Sequence, residues 1–384
     1  MRIGIDGSAM LKEPTGIGRY VRSLVEALAK AAPGDELVVL TVSYKDAPPK
    51  ALFAEYPNVS VVHKKWPGKA VLALWEHFHW PTVEDAIGQV DLFHTPNNFV
   101  LPQRQGKKVM TIHDLFFMSH PAETHRTGGQ YHYRTLPKVI HEADHVIAVS
   151  QATAEQIRKL FSVPEDRISV IHQGVEGRFF AGRQATAHNG LSQQPTTNAQ
   201  PPTNRPYVLH FGTIEPRKGI DTLLDAMQLL WSQRAFSGAL VLAGLRGWGC
   251  EKLLRRCDDM TKRWPLRLTG YVSEEEVVPL LAGARVVVVP SRDEGFGLPG
   301  LEAMAAGTPV IASRRGALSE IYADAAMYFD CGNAAELARR IAVLWDDAGL
   351  RAEMIEKGRK RASLFTWEET AAKTLSVYRE VCGQ

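Results

Sequence analysis

What this 384-residue chain lacks narrows its class first. No apolar run approaches the ~20 residues that a membrane-spanning helix needs. Cysteine is scarce: Cys250, Cys257, Cys331 and Cys382 are the whole set. None forms a Cys-x-x-Cys pair, and no Cys/His cluster has zinc-ligand spacing, so neither a disulfide framework nor a zinc finger organises the fold. Charge of one sign is also missing, with 45 Lys and Arg against 42 Asp and Glu. A formal charge of +3 is too weak a field to imply a nucleic-acid partner. The chain opens on Met-Arg-Ile-Gly-Ile-Asp, a strand pattern and not that of a signal peptide. The expected location is the cytoplasm, with at most a peripheral contact at the inner face of a membrane.

What is present is a repeated alternation of short apolar runs and amphipathic stretches. Strands are predicted at 2–6, 36–42, 59–62, 91–95, 108–112, 144–149 and 168–171, with helices such as 17–31 and 151–161 between them. In the first helix Tyr20, Leu24, Ala27 and Leu28 share one face. The pattern returns with strands at 207–211, 239–243, 266–269, 286–289, 309–312 and 327–329. Helices are predicted at 220–233, 249–262, 274–282, 299–306, 334–345, 350–364 and 367–381. Nearly all-apolar strands alternating with helices predict parallel sheets covered on both faces. The expected class is therefore α/β, with two Rossmann-like doubly wound domains facing across a cleft. Ligands of such sheets sit outside the carboxyl ends of the strands. Residues 182–206 break the pattern. They are rich in Gln, Asn, Thr, Ala and Pro and nearly devoid of large apolar side chains, the composition of a mobile linker or insertion. The predicted domains are 1–181 and 207–366.

Four motifs fall at the ends of predicted strands. The most informative runs Asp293-Glu-Gly-Phe-Gly-Leu-Pro-Gly-Leu-Glu302. Gly295 and Gly297 permit a tight loop and a close ligand approach, and Pro299 suits the first residue of a helix. Backbone amides near 296–300, with Phe296, Gly297 and Leu298 as the binding residues, would then point outward as an anion site at a helix start. Glu294 is placed to meet a sugar hydroxyl and Glu302 a ribose diol. A lone Glu on a helix is ordinarily solvated, but this loop-helix context favours the ligand role. The second motif is Phe211-Gly-Thr-Ile-Glu-Pro-Arg-Lys-Gly219. Gly212 turns the chain near a ligand. Arg217 and Lys218 can neutralise a diphosphate, the first by forked hydrogen bonds and the second as a point charge. The order of a Walker A loop is absent. In the third, Pro14-Thr-Gly-Ile-Gly-Arg-Tyr20, Gly16 and Gly18 suit a backbone that approaches phosphate or acceptor. Val21 stands where a dinucleotide fingerprint needs its third glycine. The fourth, Thr111-Ile-His-Asp-Leu115, puts His113 and Asp114 at a strand end, where His113 could bond a sugar hydroxyl and Asp114 could orient it or meet the acceptor. No Asp-x-Asp pair occurs. No metal is therefore expected, and the leaving charge falls to Arg217, Lys218 and helix dipoles.

These motifs resemble the retaining glycosyltransferases of family 4, which have the GT-B fold. The most specific points of likeness are the Glu-x7-Glu spacing of Glu294 and Glu302 and the Glu-Pro-Arg-Lys turn, Glu215–Lys218. The turn is similar to that of bacterial mannosyltransferases of O-antigen and exopolysaccharide synthesis, though it ends in Gly219 where that subgroup often has Asn. The resemblance implies a nucleotide-sugar donor and no other cofactor. It implies that Glu302 holds the ribose, Glu294 the transferred sugar, and Arg217 and Lys218 the diphosphate. Gly16 would approach that diphosphate from the acceptor-side domain, and His113 would stand beside the sugar. The final helix would return to pack on the first domain. The implied reaction moves a hexose, mannose from GDP-mannose, to a glycan or lipid-linked acceptor with retention. A phosphate oxygen would take the acceptor's proton. A UDP-sugar donor and a non-catalytic sugar-nucleotide scaffold are the alternatives.

For the acceptor side, His63–Trp66 followed by 69–80 is basic and aromatic. Trp66, Trp75, Phe78 and Trp80 suit either a membrane or lipid-linked acceptor, or a packed helix with snorkelling lysines. Tyr131, His132, Tyr133 and Arg134 form another candidate acceptor surface.

Overall fold

The computed structural model describes residues 1–11, 16–67, 71, 74–75, 77–98, 101–121, 129–181, 203–233 and 236–384. They form two compact units, Met1–Gly174 with Thr366–Gln384, and Val175–Phe365. The first holds β1 Arg2–Asp6, β2 Glu36–Val42, β3 Val59–Lys64, β4 Leu92–Thr95, β5 Lys107–Ile112, β6 His145–Ala148 and β7 Ile168–Val170. Their order is β3-β2-β1-β4-β5-β6-β7, and every pairing is parallel.

Residue alternation explains why this sheet is parallel and internal. On β2, Leu37 and Val39 join the cluster that holds Ile3, Ile5 and Leu24, whereas Val38 and Leu40 join Phe93 and Trp75. Both faces are apolar, so both must be covered by helices. The helix Gly16–Ala31 covers one of them with Tyr20, Leu24 and Leu28, and the final helix Trp367–Val381 packs in the same cluster through Trp367, Leu375 and Tyr378. Gly174 is where that return fits: a Cβ there would lie 2.4 Å from the Trp367 amide nitrogen.

The second unit holds β8 Tyr207–Phe211, β9 Ala239–Ala243, β10 Leu266–Gly270, β11 Val286–Val289, β12 Val310–Ser313 and β13 Ala326–Phe329. Their order is β10-β9-β8-β11-β12-β13, again parallel throughout. Strand order reverses between β1 and β4 in one unit and between β8 and β11 in the other. Those reversals open the crevices where doubly wound sheets bind ligands.

The division after Gly174 departs from the expected boundary at 181. The Val175 amide donates to Phe365 O, Arg178 pairs with Glu274, and Phe179 is buried, so 175–181 already belong to the second unit. The expected linker 182–206 lies outside the described residues apart from 203–206. No helix among the described residues is long and apolar enough to cross a membrane.

Candidate active site

In the second unit the site grows from the loop after β11. Gly297 caps the helix Leu298–Ala305 with φ +97°, and a Cβ there would sit 2.6 Å from Leu318 Cδ2 and from the Tyr322 hydroxyl. Only glycine fits such a position. Leu298, and not the expected Pro299, is the first helical residue. Pro299 follows it, still within the turn where a missing N–H costs nothing. The Gly300 amide donates to Gly297 O at 3.1 Å, so the run of outward amides expected over 296–300 loses that member. Leu298 opens the helix, and its amide has no intrahelical acceptor. Phe296 is buried with its ring edge-on to Phe365, 5.8 Å between centroids. Its side chain is core.

The charged groups meet beside this loop. Lys218 Nζ donates to Glu294 Oε1 at 2.7 Å, and Ser291 Oγ donates to the same oxygen at 2.7 Å. Arg217 Nη1 lies 3.8 Å from Glu294 Oε2, while its Nε and Nη2 grip Glu215 Oε1 at 3.0 and 2.9 Å. Glu294 is 8% exposed. Burial alone would raise its pKa, but the Lys218 and Arg217 charges and the two hydrogen bonds outweigh it and hold the carboxyl at about 2. Glu302 is 1% exposed, so it is not a solvated helix residue. Gly212 ends β8 with φ +148°, a backbone only glycine adopts readily, and Gly219 has φ +64° with its missing Cβ aimed at Pro290 O, 2.1 Å away.

In the first unit the strand end is held chiefly by neutral groups. His113 Nε2–H points to Pro96 O at 3.2 Å, and Gln173 Nε2 donates to His113 Nδ1 at 3.3 Å. Both ring nitrogens are thus engaged, and a sugar hydroxyl can be received only by displacing one of these bonds. Burial holds the imidazole neutral, with a pKa of about 4. Asp114 Oδ1 accepts the Phe116 amide at 3.2 Å, capping the next turn. The two glycines of the first helix differ. A Cβ on Gly18 would meet Ala9 O at 2.7 Å, so packing alone demands glycine there, whereas a Cβ on Gly16 would meet nothing within 4 Å among the described residues. Pro14 and Thr15 of the same motif lie outside the described residues.

Comparison with known proteins decides the family. Residues 14–177 match Glycosyltransferase Family 4 and residues 195–361 match Glycosyl transferases group 1. The O-antigen chain mannosyltransferase B of Escherichia coli is 29% identical over 374 residues, 95% of this chain and 96% of that one. The chain is a glycosyltransferase of the family 4 type. Among solved structures, a sucrose-phosphate synthase from Thermosynechococcus elongatus is similar at TM-score 0.76 and 23% identity, over 99% of this chain and 98% of that one. Anabaena HepE in complex with UDP-glucose is similar at TM-score 0.68 and 19% identity, over 98% and 100%. At those identities they speak to the fold, which is GT-B.

Several residues of this glycosyltransferase site escaped the sequence reading. Glu215 sits inside the Glu-Pro-Arg-Lys turn as the partner of Arg217. Ser291 stands three residues before Glu294, a Ser-x-x-Glu spacing that was legible. In the first unit, Tyr378 OH bonds His94 Nδ1 at 2.6 Å, His94 Nε2 bonds Thr111 Oγ1 at 2.8 Å, and Tyr20 OH lies 3.4 Å from the same oxygen. The Tyr20 ring then meets His113 edge-on at 4.6 Å. No local pattern announces pairings between residues 284 apart.

The aromatic segment of the glycosyltransferase divides. Trp75 is core, donating Nε1–H to Pro81 O and packing edge-on to Trp66, while Phe78 and Trp80 are 72% and 55% exposed. His132 bonds Asn98 O, Tyr133 is exposed, and the Tyr131 side chain and Lys69 lie outside the described residues. Among the described residues no group of three or more His, Cys, Asp or Glu could hold a metal.

Proposed function

We propose that this glycosyltransferase moves a hexose, mannose from GDP-mannose, to a glycan or lipid-linked acceptor with retention of configuration. One observation carries the reading: two cations and a carboxylate converge, largely buried, beside a glycine-capped helix start. A diphosphate would draw on Lys218 and Arg217 and on the Leu298 amide, which stabilise charge as it develops on the leaving group. Glu294, released from Lys218, would take sugar hydroxyls, and Glu302 the ribose. His113, Asp114 and Gly16 are assigned to the sugar and acceptor side. The name of the Escherichia coli relative supports mannose. No side chain is assigned as a covalent nucleophile; a phosphate oxygen would take the acceptor's proton. The charge is met by side chains, so the reaction is proposed to need no metal and to survive excess chelator.

A second donor, UDP-glucose, is favoured by the solved Anabaena complex. A panel of GDP- and UDP-sugars, scored by thermal shift and then by turnover, separates the readings. Stabilisation and turnover by GDP-mannose support the first. The same response to UDP-glucose selects the second. Binding with no turnover on any acceptor indicates a scaffold, and no binding at all overturns the site. Phe78 and Trp80 are proposed as a peripheral membrane contact on the cytoplasmic side; flotation with anionic vesicles tests it, and a protein left in the pellet argues against it.

A further inference from the structure

His210 is the penultimate residue of β8, the strand beside the order reversal of the second unit, and is 2% exposed. Its Nδ1 contacts Val288 O of β11 at 3.1 Å, so the ring bridges the two strands that flank the reversal. A carbonyl only accepts, so Nδ1 carries the proton. Burial and the nearby Lys218 charge keep the ring neutral, near pKa 4, against the opposing pull of the Val288 bond and Glu294. Nε2 is therefore a bare lone pair. It is buried, and it has no hydrogen-bond partner among the described residues. It points toward the Gly212 turn, where an added Cβ would lie 3.9 Å from it.

The chemistry of a lone pair limits what can satisfy it. A phosphate oxygen is itself an acceptor and is repelled. A donor is required, and the turn after β8 brings one to the same stretch of β11: Gly219 packs on Pro290 O, two residues beyond the Val288 carbonyl that His210 holds, and Lys218 shares Glu294 Oε1 with Ser291. Lys218 has three N–H groups on a flexible stem, and its one hydrogen bond among the described residues goes to Glu294. We propose that His210 is a positioning residue for Lys218: its Nε2 accepts a Lys218 N–H once the bound sugar draws Glu294 away, holding the ammonium against the diphosphate. The proposal rests on the assignment of this loop to the donor nucleotide.

Calorimetric titration of GDP-mannose and UDP-glucose, whose sugars can draw Glu294 away, into wild type, His210→Phe, Lys218→Met and the double variant tests it. The expected result for whichever sugar nucleotide binds is a loss of about 3- to 10-fold for His210→Phe, a larger loss for Lys218→Met, and no further loss in the double variant. His210→Gln, which can donate at one end and accept at the other, should bind within 2-fold of wild type. A wild-type affinity for His210→Phe overturns the proposal, as does the same fold-loss in the Lys218→Met background. In wild type, binding of GDP-mannose or UDP-glucose should move the 15N resonance of His210 Nε2 in the direction of an accepted hydrogen bond. An unmoved resonance in a saturated complex contradicts the proposal even if the variants do not fold. Failure of wild type to bind any nucleotide or sugar nucleotide overturns the donor-site assignment itself, and is distinct from these outcomes.

Discussion

The carboxyl ends of the two sheets are built from different chemistry. In the second unit the strand-end loops are held by buried charge, with Glu294 between Lys218 and Arg217 and Glu215 behind them. In the first unit the corresponding region is held by neutral groups, a hydrogen-bonded run from Tyr378 through His94 and Thr111 to Tyr20, with His113 against the Tyr20 ring. Two sheets of the same doubly wound kind thus hold their strand ends differently, one by a buried ionic grip and the other by a buried run of neutral hydrogen bonds. An anionic donor needs mobile cations that can exchange one partner for another. A neutral hydroxyl acceptor needs shape and tautomers that stay fixed. On the proposed function, that division of labour would account for the contrast.

The largest expected effect is on the ionic side. Glu294→Gln keeps the shape and removes the charge, and turnover should fall by about 10²- to 10³-fold. Rates within a few-fold of wild type would remove Glu294 from the chemistry. Acid should act on the buried imidazoles and on the Glu294 carboxylate in different windows. Burial holds His94 neutral down to about 3 and His210 down to about 4, while unfolded imidazoles protonate near 6.5. The unfolded chain binds more protons in that interval, so stability falls as pH drops from 6.5 toward 4, by about 1.4 kcal/mol per pH unit for each such His. Glu294, with its depressed pKa, adds stability above about 4.5 that is lost as pH falls toward 2. Denaturant unfolding across pH should show both slopes, and Glu294→Gln should flatten only the lower one. Flattening of the upper one would mean that the Glu294 charge sets the imidazole protonation and that the two windows are not separable.

Smaller effects sharpen the contrast. Lys218→Ala should weaken nucleotide binding by about 1.5–3 kcal/mol, the range for a charge-assisted bond, and unchanged affinity would take Lys218 off the diphosphate. Tyr378→Phe leaves His94 Nδ1 without its partner and should cost about 1–3 kcal/mol of stability while nucleotide affinity holds. A drop in affinity would show that the neutral network serves the donor as well. Gly18→Ala should destabilise by about 1–3 kcal/mol through its clash with Ala9 O. Gly16→Ala should leave stability nearly unchanged and lower turnover if a ligand uses that open space. Unaltered turnover would leave Gly16 without a role.

Much of this was legible from the chain. Continuous apolar runs such as 286–289 named the strands because parallel strands are buried on both faces. The Glu294–Glu302 and Arg217–Lys218 motifs lie within local turns, so spacing alone brought them to strand ends. One-turn helices such as Phe116–Ser119 were missed because four residues carry no helical period. Val83–Ile87 had a readable capping box in Thr82 and Asp85 that periodicity overlooked. The neutral network was hidden for a stronger reason. Tyr378 and His94 read separately as a core tyrosine and a lone histidine, and only the return of the final helix makes them a pair.

The most direct test of the ionic grip is a crystal structure with an intact sugar nucleotide bound. The diphosphate should lie within hydrogen-bond distance of Lys218 and of the Leu298 amide, with Glu294 on the sugar. Density for the diphosphate away from the loops that follow β8 and β11, with the Lys218–Glu294 pair untouched, would contradict the account.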